Sequence, residues 1–412
     1  MSFEKVDKRD LYRCVSCGNC RSVCPAFEQT GRESKNTRGR ILIIRGIYEG
    51  KLDDESVFDS INTCTTCGFC KEACPAGVNP PKLVEAAREG LAELGKMTPT
   101  QIKIRDTVAQ YANTLGVEGG RLNWLNELEE GLGNRARDET EDGLRDGKVK
   151  ETRDRTEKKA VELNGTGGSG LKLEIKSPNA VYFVGCLDSY RYPQTALKTY
   201  SLLNKFGAVL LEDERCCGSP LLRLGFSREA ADLMKHNTEQ IQKSGADTII
   251  AGCAGCFNTL KNSYDLSGIT VMTVSEYLMS HINELKELMA SENSGIQKLN
   301  IPVTYHDSCH SGRHNRVFDE PRVLIREIVG SSNLKEMAAN REKSRCCGGG
   351  GGVRSGYNEL SLAMAKRRLE DVPVGVEYII TSCPLCLRNL RDAGGDIPVI
   401  DIVELLSMAM KK

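Results

Sequence analysis

Aromatic residues make up only 5% of the 412-residue chain, with a single tryptophan. So few ring faces argue against a platform for stacking nucleic-acid bases. An excess of charge is also missing: 56 basic residues balance 56 acidic ones, so there is no electrostatic footprint for nucleic acid. No apolar run approaches the roughly 18 residues that span a bilayer. The best, residues 41–44, is flanked by Arg40 and Arg45. The N-terminal stretch MSFEKVDKRD lacks the apolar segment of a secretory signal. These absences predict a cytoplasmic protein that would reach a membrane only through a partner. The rest is ordinary for a globular chain, 40% hydrophobic and 27% charged, and long enough for two or three domains.

Against this background stand 18 cysteines. In a reducing compartment they read as metal ligands or redox groups rather than structural disulfides. Eight form two tight runs, each followed by proline: Cys14, Cys17, Cys20, Cys24 and Cys64, Cys67, Cys70, Cys74. This is the bacterial ferredoxin spacing for [4Fe–4S] clusters, in which the fourth cysteine of each run serves the other cluster. One cluster is thus expected on Cys14, Cys17, Cys20 and Cys74, the other on Cys64, Cys67, Cys70 and Cys24. Gly18 and Gly68 would bring backbone amides close to the sulfurs. Structural zinc, the competing reading, takes four ligands at different spacing.

Between the runs, Asn36 caps a helix predicted from Arg38 to Glu49 and stopped by Gly50. Pro80-Pro81 opens another, with Leu83, Ala86, Ala87, Leu91 and Leu94 as its apolar face and Gly95 at its end. Residues 1–97 therefore read as a helical dicluster domain. Residues 98–176 contain no cysteine. Residues 134–163 are densely charged and 164–170 glycine-rich, the composition of a solvated linker and hinge. Trp124 is expected to pack on a domain or a partner.

Residues 177–412 are a duplication, divided at about 298/299. One copy places Cys186, then Cys216-Cys217-Gly218, then Cys253 and Cys256. The other places Cys309, then Cys346-Cys347-Gly348, then Cys383 and Cys386. In both, 35 residues separate the doublet from the final Cys-x-x-Cys. The gap before the doublet differs: 29 residues in the first copy and 36 in the second. Short β-branched runs at 180–184, 246–251, 301–305 and 376–381 lead into cysteines. Runs at 270–274 and 397–401 precede helices. Strands alternating with helical stretches predict βαβ units with parallel sheets. The cysteines then lie at carboxyl edges, where such folds place ligands. The fold class is thus α plus α/β. Five thiolates per copy exceed the needs of one cubane or one zinc, and a zinc site with a spare cysteine is the competing reading.

These repeats resemble the duplicated CCG domain of heterodisulfide reductase catalytic subunits. Joined to the ferredoxin runs, they are similar to the D-type heterodisulfide reductase family of methanogenic archaea, over residues 1–97 and 177–412. The resemblance implies a noncubane [4Fe–4S] cluster on each set of five cysteines, fed by the two cubane clusters. It also implies the coenzyme M–coenzyme B disulfide as substrate and a membrane cytochrome b-type partner, with the chain on the inner membrane face. Both five-cysteine sites are expected to face one cleft between the halves. The same architecture resembles the iron–sulfur subunits of flavin-dependent glycolate, lactate and glycerol-3-phosphate dehydrogenases, where a flavoprotein partner does the chemistry.

His306, His310 and His314 surround Cys309 at what reads as helical spacing. His306 and His310 are candidate proton donors to a leaving thiolate, or else hydrogen-bonded groups behind the ligands. Gly218 and Gly348 are candidate cofactor contacts, Gly348 opening a five-glycine run that permits close backbone approach. Arg191, Arg313, Arg345 and Arg354 are candidates for holding anionic groups.

Overall fold

A computed structural model describes residues 3–52, 56–126, 179–292 and 299–410. The charged stretch 134–163 and the glycine-rich stretch 164–170 lie outside the described residues. The N-terminal unit is helical. Helix α1 (Thr37–Tyr48) starts where the Asn36 side chain accepts from the Gly39 amide at 2.9 Å, closing one free donor of the first turn. It buries Ile41 and Ile44. Helix α2 (Pro80–Glu93) begins on its two prolines, whose fixed φ suits the first turn. Leu83, Ala87 and Leu91 are buried, but Leu94 sits past the last turn and is exposed.

Residues beyond 97 continue as folded chain. Helix α3 (Pro99–Tyr111) opens with a capping box between Thr98 and Gln101. Trp124 is buried in the same apolar core as Tyr182, Leu203 and Tyr305 and meets the Tyr200 ring edge-on at 6.0 Å.

The two halves each carry a parallel sheet. In the first, strands β1 (Ala180–Phe183), β2 (Ala208–Leu210), β3 (Thr248–Ala251) and β4 (Thr270–Thr273) lie in the order β2-β1-β3-β4. In the second, β5 (Val303–Tyr305), β6 (Tyr378–Thr381) and β7 (Val399–Asp401) lie in the order β5-β6-β7. The sequence pattern does not single out β2. Its place in the second half is held by one bridge, Val303 to Leu334. Central strands β1, β3 and β6 are almost wholly buried, as parallel strands covered on both faces must be.

Candidate metal centre

In the ferredoxin-like unit, one cavity is lined by Cys14, Cys17, Cys20 and Cys74, with Cys70 at its wall. A second is lined by Cys24, Cys64, Cys67 and Cys70. Cys70 borders both cavities, and each cavity takes one cysteine from the other run, Cys74 in the first and Cys24 in the second. Each loop carries the same backbone device. Ser16 and Thr66 have φ of 56° and 52°, and Gly18 and Gly68 have φ of 87° and 78°. A left-handed pair at each loop wraps the chain around its cavity, the second member requiring glycine. Arg40, fully buried, reaches the second cavity, 3.7 Å from the Cys24 sulfur. Cys17 is exposed and Cys67 buried, so the first cavity is the outer one.

The two five-cysteine sites are built alike. Cys253 and Cys383 follow β3 and β6 and cap the helices Ala254–Ser263 and Pro384–Asp392. Both Cys-x-x-Cys pairs thus sit at helix N-termini, where the dipole favours thiolate. The doublets precede glycines in left-handed conformation, Gly218 at φ 80° and Gly348 at φ 83°. A Cβ on Gly348 would lie 2.4 Å from the Ser361 carbonyl. It is therefore the Gly348 amide that faces the site, donating to the Cys346 sulfur at 3.3 Å. Gly218 packs likewise against Ala230.

Cysteine side chains influence one another in series through the molecule. Cys67 meets Cys346, which also meets Cys309 and Cys347. Cys347 meets Cys386, Cys386 meets Cys383, and Cys383 meets Cys253. Cys253 meets Cys256, then Cys217, Cys216 and Cys186 follow. Cys253 and Cys383 are equivalent positions of the two copies. Cys383, accepting from Cys253 and Cys386, is held well below the usual thiol range. Cys217 and Cys347 are lowered in the same way by Cys216 and Cys346.

The space beside Cys253 and Cys383, lined by Tyr182, Asp188, Ser382 and Asp401, is closed down to about 10 Å³, barely one water. A larger groove of about 510 Å³ lies instead between the ferredoxin-like unit and the second half. It reaches Cys346 between Phe69, Lys343 and Arg345.

His306 parts from His310 and His314, because residues 305–314 run as strand end, turn and one short helix rather than as continuous helix. His306 Nδ1 accepts from Arg368 Nε at 3.0 Å, which leaves the proton on Nε2. That atom is buried without a partner, and the ring lies with the Cys347 and Cys386 sulfurs in a group spanning 4.8 Å. Burial pushes His306 down to about 3. His310 Nδ1 is 3.2 Å from the Cys309 sulfur and its ring stacks on His314 at 4.8 Å. Burial, with His314 and Arg223 nearby, holds His310 well below its ordinary value. His314 meets the Thr66 carbonyl at 3.0 Å. Both candidate donors are thus neutral, and any acid role would run through a ring N–H.

Of the candidate arginines, Arg345 and Arg354 are engaged by Asp371 and Asp392. Arg313 is buried, donates to the carbonyls of Cys67 and Ser344, and keeps Nη2 without a partner. Arg191 is exposed. The orphaned donors on His306 and Arg313 test the fit of an iron–sulfur cluster. Its sulfurs would accept from N–H groups that otherwise stay buried and unpaired.

Not foreseen was the glycine run's packing partner. A Cβ on Gly350 would sit 2.7 Å from the Thr65 carbonyl, and one on Gly351 2.3 Å from that of Cys64. The run lets the second half close on the ferredoxin loop. Arg88 was also missed. Fully buried, it donates to the carbonyls of Ile61, Asn62, Cys64 and Arg223 and so ties that loop to the first half.

Fold and site define an iron–sulfur oxidoreductase. Residues 10–78 match the 4Fe-4S dicluster domain, and residues 180–261 and 303–391 each match the cysteine-rich CCG domain. The chain is 32% identical to the D-type subunit of the dihydromethanophenazine:CoB–CoM heterodisulfide reductase of Methanosarcina barkeri, over 98% of this chain and 95% of that one. It belongs to this D-type heterodisulfide reductase family. It is also 35% identical to the B-type subunit of the fumarate reductase (CoM/CoB) of Methanothermobacter marburgensis, over 55% of this chain and 46% of that one. To the EtfAB:quinone oxidoreductase of Syntrophomonas wolfei it is 27% identical, over 98% of this chain and 59% of that one. No helix among the described residues is long and apolar enough to cross a membrane.

Proposed function

We propose that this chain is the catalytic subunit of a heterodisulfide reductase, reducing the coenzyme M–coenzyme B disulfide to two thiols with two electrons and two protons. The observation supporting this reading is that both halves present a complete set of five cysteines, each with its Cys-x-x-Cys pair placed after a parallel strand at a helix N-terminus. Electrons would enter at the exposed Cys17 side, pass the inner cavity, and reach the second five-cysteine site before the first. The ligands would be Cys14, Cys17, Cys20 and Cys74 for one cubane cluster and Cys64, Cys67, Cys70 and Cys24 for the other. Cys186, Cys216, Cys217, Cys253 and Cys256 would hold one noncubane cluster. Cys309, Cys346, Cys347, Cys383 and Cys386 would hold the other. The clusters supply the one-electron steps. Around them the chain excludes water, offers neutral N–H donors from His306 and His310, and leaves one groove open at Cys346. The functional units are residues 1–97, 177–298 and 299–412, with 98–176 between them and its folded part, residues 98–126, packed on the first half. The donor would be a cytochrome b-type membrane protein, with this chain on the cytoplasmic face.

Anaerobically purified protein should contain about sixteen irons. Cys383→Ser should abolish heterodisulfide reduction by reduced viologen while the ferredoxin-type spectra persist. Eight irons or fewer with stoichiometric zinc, or full turnover by the variant, would overturn the reading. A second reading, an electron conduit to a flavoprotein, draws support from the similarity to the EtfAB:quinone oxidoreductase over 98% of this chain. The co-purifying partner separates the two: a haem protein for the reductase, a flavoprotein for the conduit.

A further inference from the structure

Residues 98–126 lie outside every stretch matched by a family model, yet they complete the first five-cysteine site. Helix α3 buries Val108 in one cluster with Cys186, Cys216 and Leu221. The Ala112 carbonyl accepts from the Cys216 amide at 2.8 Å. The Gly119 carbonyl accepts from the Tyr190 hydroxyl at 3.2 Å. Buried Trp124 anchors the far end, its indole N–H donating to the Arg121 carbonyl at 2.9 Å. Between these anchors the Arg121 side chain turns inward. Its Nη2 and Nη1 lie 3.5 and 3.8 Å from the Cys186 sulfur. Its Nε donates to the Glu214 carbonyl at 2.7 Å.

We propose that Arg121 is a positioning residue of the first five-cysteine site, donating from both terminal nitrogens to the Cys186 sulfur and raising the reduction potential of the cluster held there. This rests on the reading that the site holds an iron–sulfur cluster. A cluster gains negative charge on reduction, and charge-assisted hydrogen bonds to its sulfurs strengthen as it does. The planar guanidinium suits this better than a point charge, because one fork serves a sulfur and a carbonyl at once. Glu214 restrains the effect. Its buried carboxylate lies 3.4 Å from Arg121 and is fixed by the amides of Val184 and Gly185. The second site has no such pair among the described residues. Its arginine, Arg313, is shared with the Cys67 carbonyl of the ferredoxin loop. The duplicated sites are thus unequal, and the difference comes from a segment that belongs to neither copy.

The test is anaerobic redox titration of the holoprotein, followed by electron paramagnetic resonance. Arg121→Gln should lower the midpoint of one cluster by about tenfold in equilibrium constant, or ~59 mV for a one-electron couple, and leave the others in place. Arg121→Lys should recover part of the shift. Glu214→Gln, which removes the counter-charge, should move the same midpoint upward. Unchanged midpoints in Arg121→Gln, or a shift common to all clusters, would overturn the proposal. Should Arg121→Gln fail to retain iron, Glu214→Gln decides: a rise confined to one cluster supports the proposal, and no shift overturns it. The iron content and heterodisulfide turnover of the unaltered protein test the functional reading separately.

Discussion

Replacing Gly351 by alanine probes the closest contact between the ferredoxin loop and the second half. Gly351 has φ +60°, and an added Cβ would fall 2.3 Å from the Cys64 carbonyl oxygen and 3.0 Å from Thr65 Cα. Ordinary contact begins near 3.4 Å, so the backbones must part by about 1 Å. The left-handed conformation costs an L-residue about 1–2 kcal/mol, and forced overpacking costs a further 1–3 kcal/mol, roughly. The two effects can be measured apart. Gly394→Ala carries the conformational cost alone, at φ +73° with nothing within 4 Å. Gly350→Ala carries the contact alone, 2.7 Å from the Thr65 carbonyl without a left-handed backbone. Scanning calorimetry of anaerobic holoprotein should order the melting temperatures Gly351→Ala lowest, then Gly350→Ala, then Gly394→Ala. At roughly 2 °C per kcal/mol for a chain of this size, the Gly351 variant should fall about 4–10 °C. A Gly351→Ala protein melting with Gly394→Ala would refute the claim that the glycine run is shaped by this contact.

Arg322 is fully buried and holds Asp307 bidentately at 2.7 and 2.9 Å. Arg322→Leu leaves that buried carboxylate with only the Arg341 amide at 2.8 Å and should cost about 3–5 kcal/mol in denaturant unfolding; a loss under about 1 kcal/mol would contradict it. His306→Phe should lower the midpoint of one cluster, and an unaltered set of midpoints would deny His306 its role as donor. Burial, outweighing the Val403 amide and joined by the nearby Glu404, pushes Asp401 up to about 7. Its folded pKa exceeds its unfolded value of about 3.9, so the folded state binds the extra proton. Stability should therefore fall by up to about 4 kcal/mol as pH rises from about 4 through 7. Asp401→Asn should flatten that slope, and equal slopes in both proteins would rule Asp401 out as its source.

The two cavities of the ferredoxin-like unit were legible because most of the ligand spacing is local: each loop supplies three closely spaced sulfurs, and the exchange of the fourth between runs belongs to the same spacing pattern. The βαβ halves were legible because every short β-branched run leads into a cysteine or a helix, and a parallel sheet puts those ends on one edge. What the residues did not disclose depends on partners far away in the chain. The period of α2 suggested an apolar Leu94, but the helix ends before it and the side chain is exposed. The five glycines announced a close approach, yet not that the approaching chain would be the Cys64–Thr65 loop. The histidines near Cys309 look equivalent in sequence, and a turn at residues 306–311 sends them to three different neighbours. Arg121 carried no signal, since one arginine in a stretch without cysteine resembles any solvated charge.

The contact between Cys346 and Thr65 joins residues 281 positions apart. On a ribosome adding roughly 5–20 residues per second, the later partner emerges about 15–60 s after the earlier one. Throughout that interval the inner ferredoxin loop lacks the surface that finally covers it. A nascent chain therefore leaves Cys64 and Cys67 uncovered by the second half while the rest is still being made. Once the glycine run docks, that entrance is shut. The order of synthesis thus separates the two cavities in time: the inner one is covered late, and the outer one keeps Cys17 exposed in the finished chain.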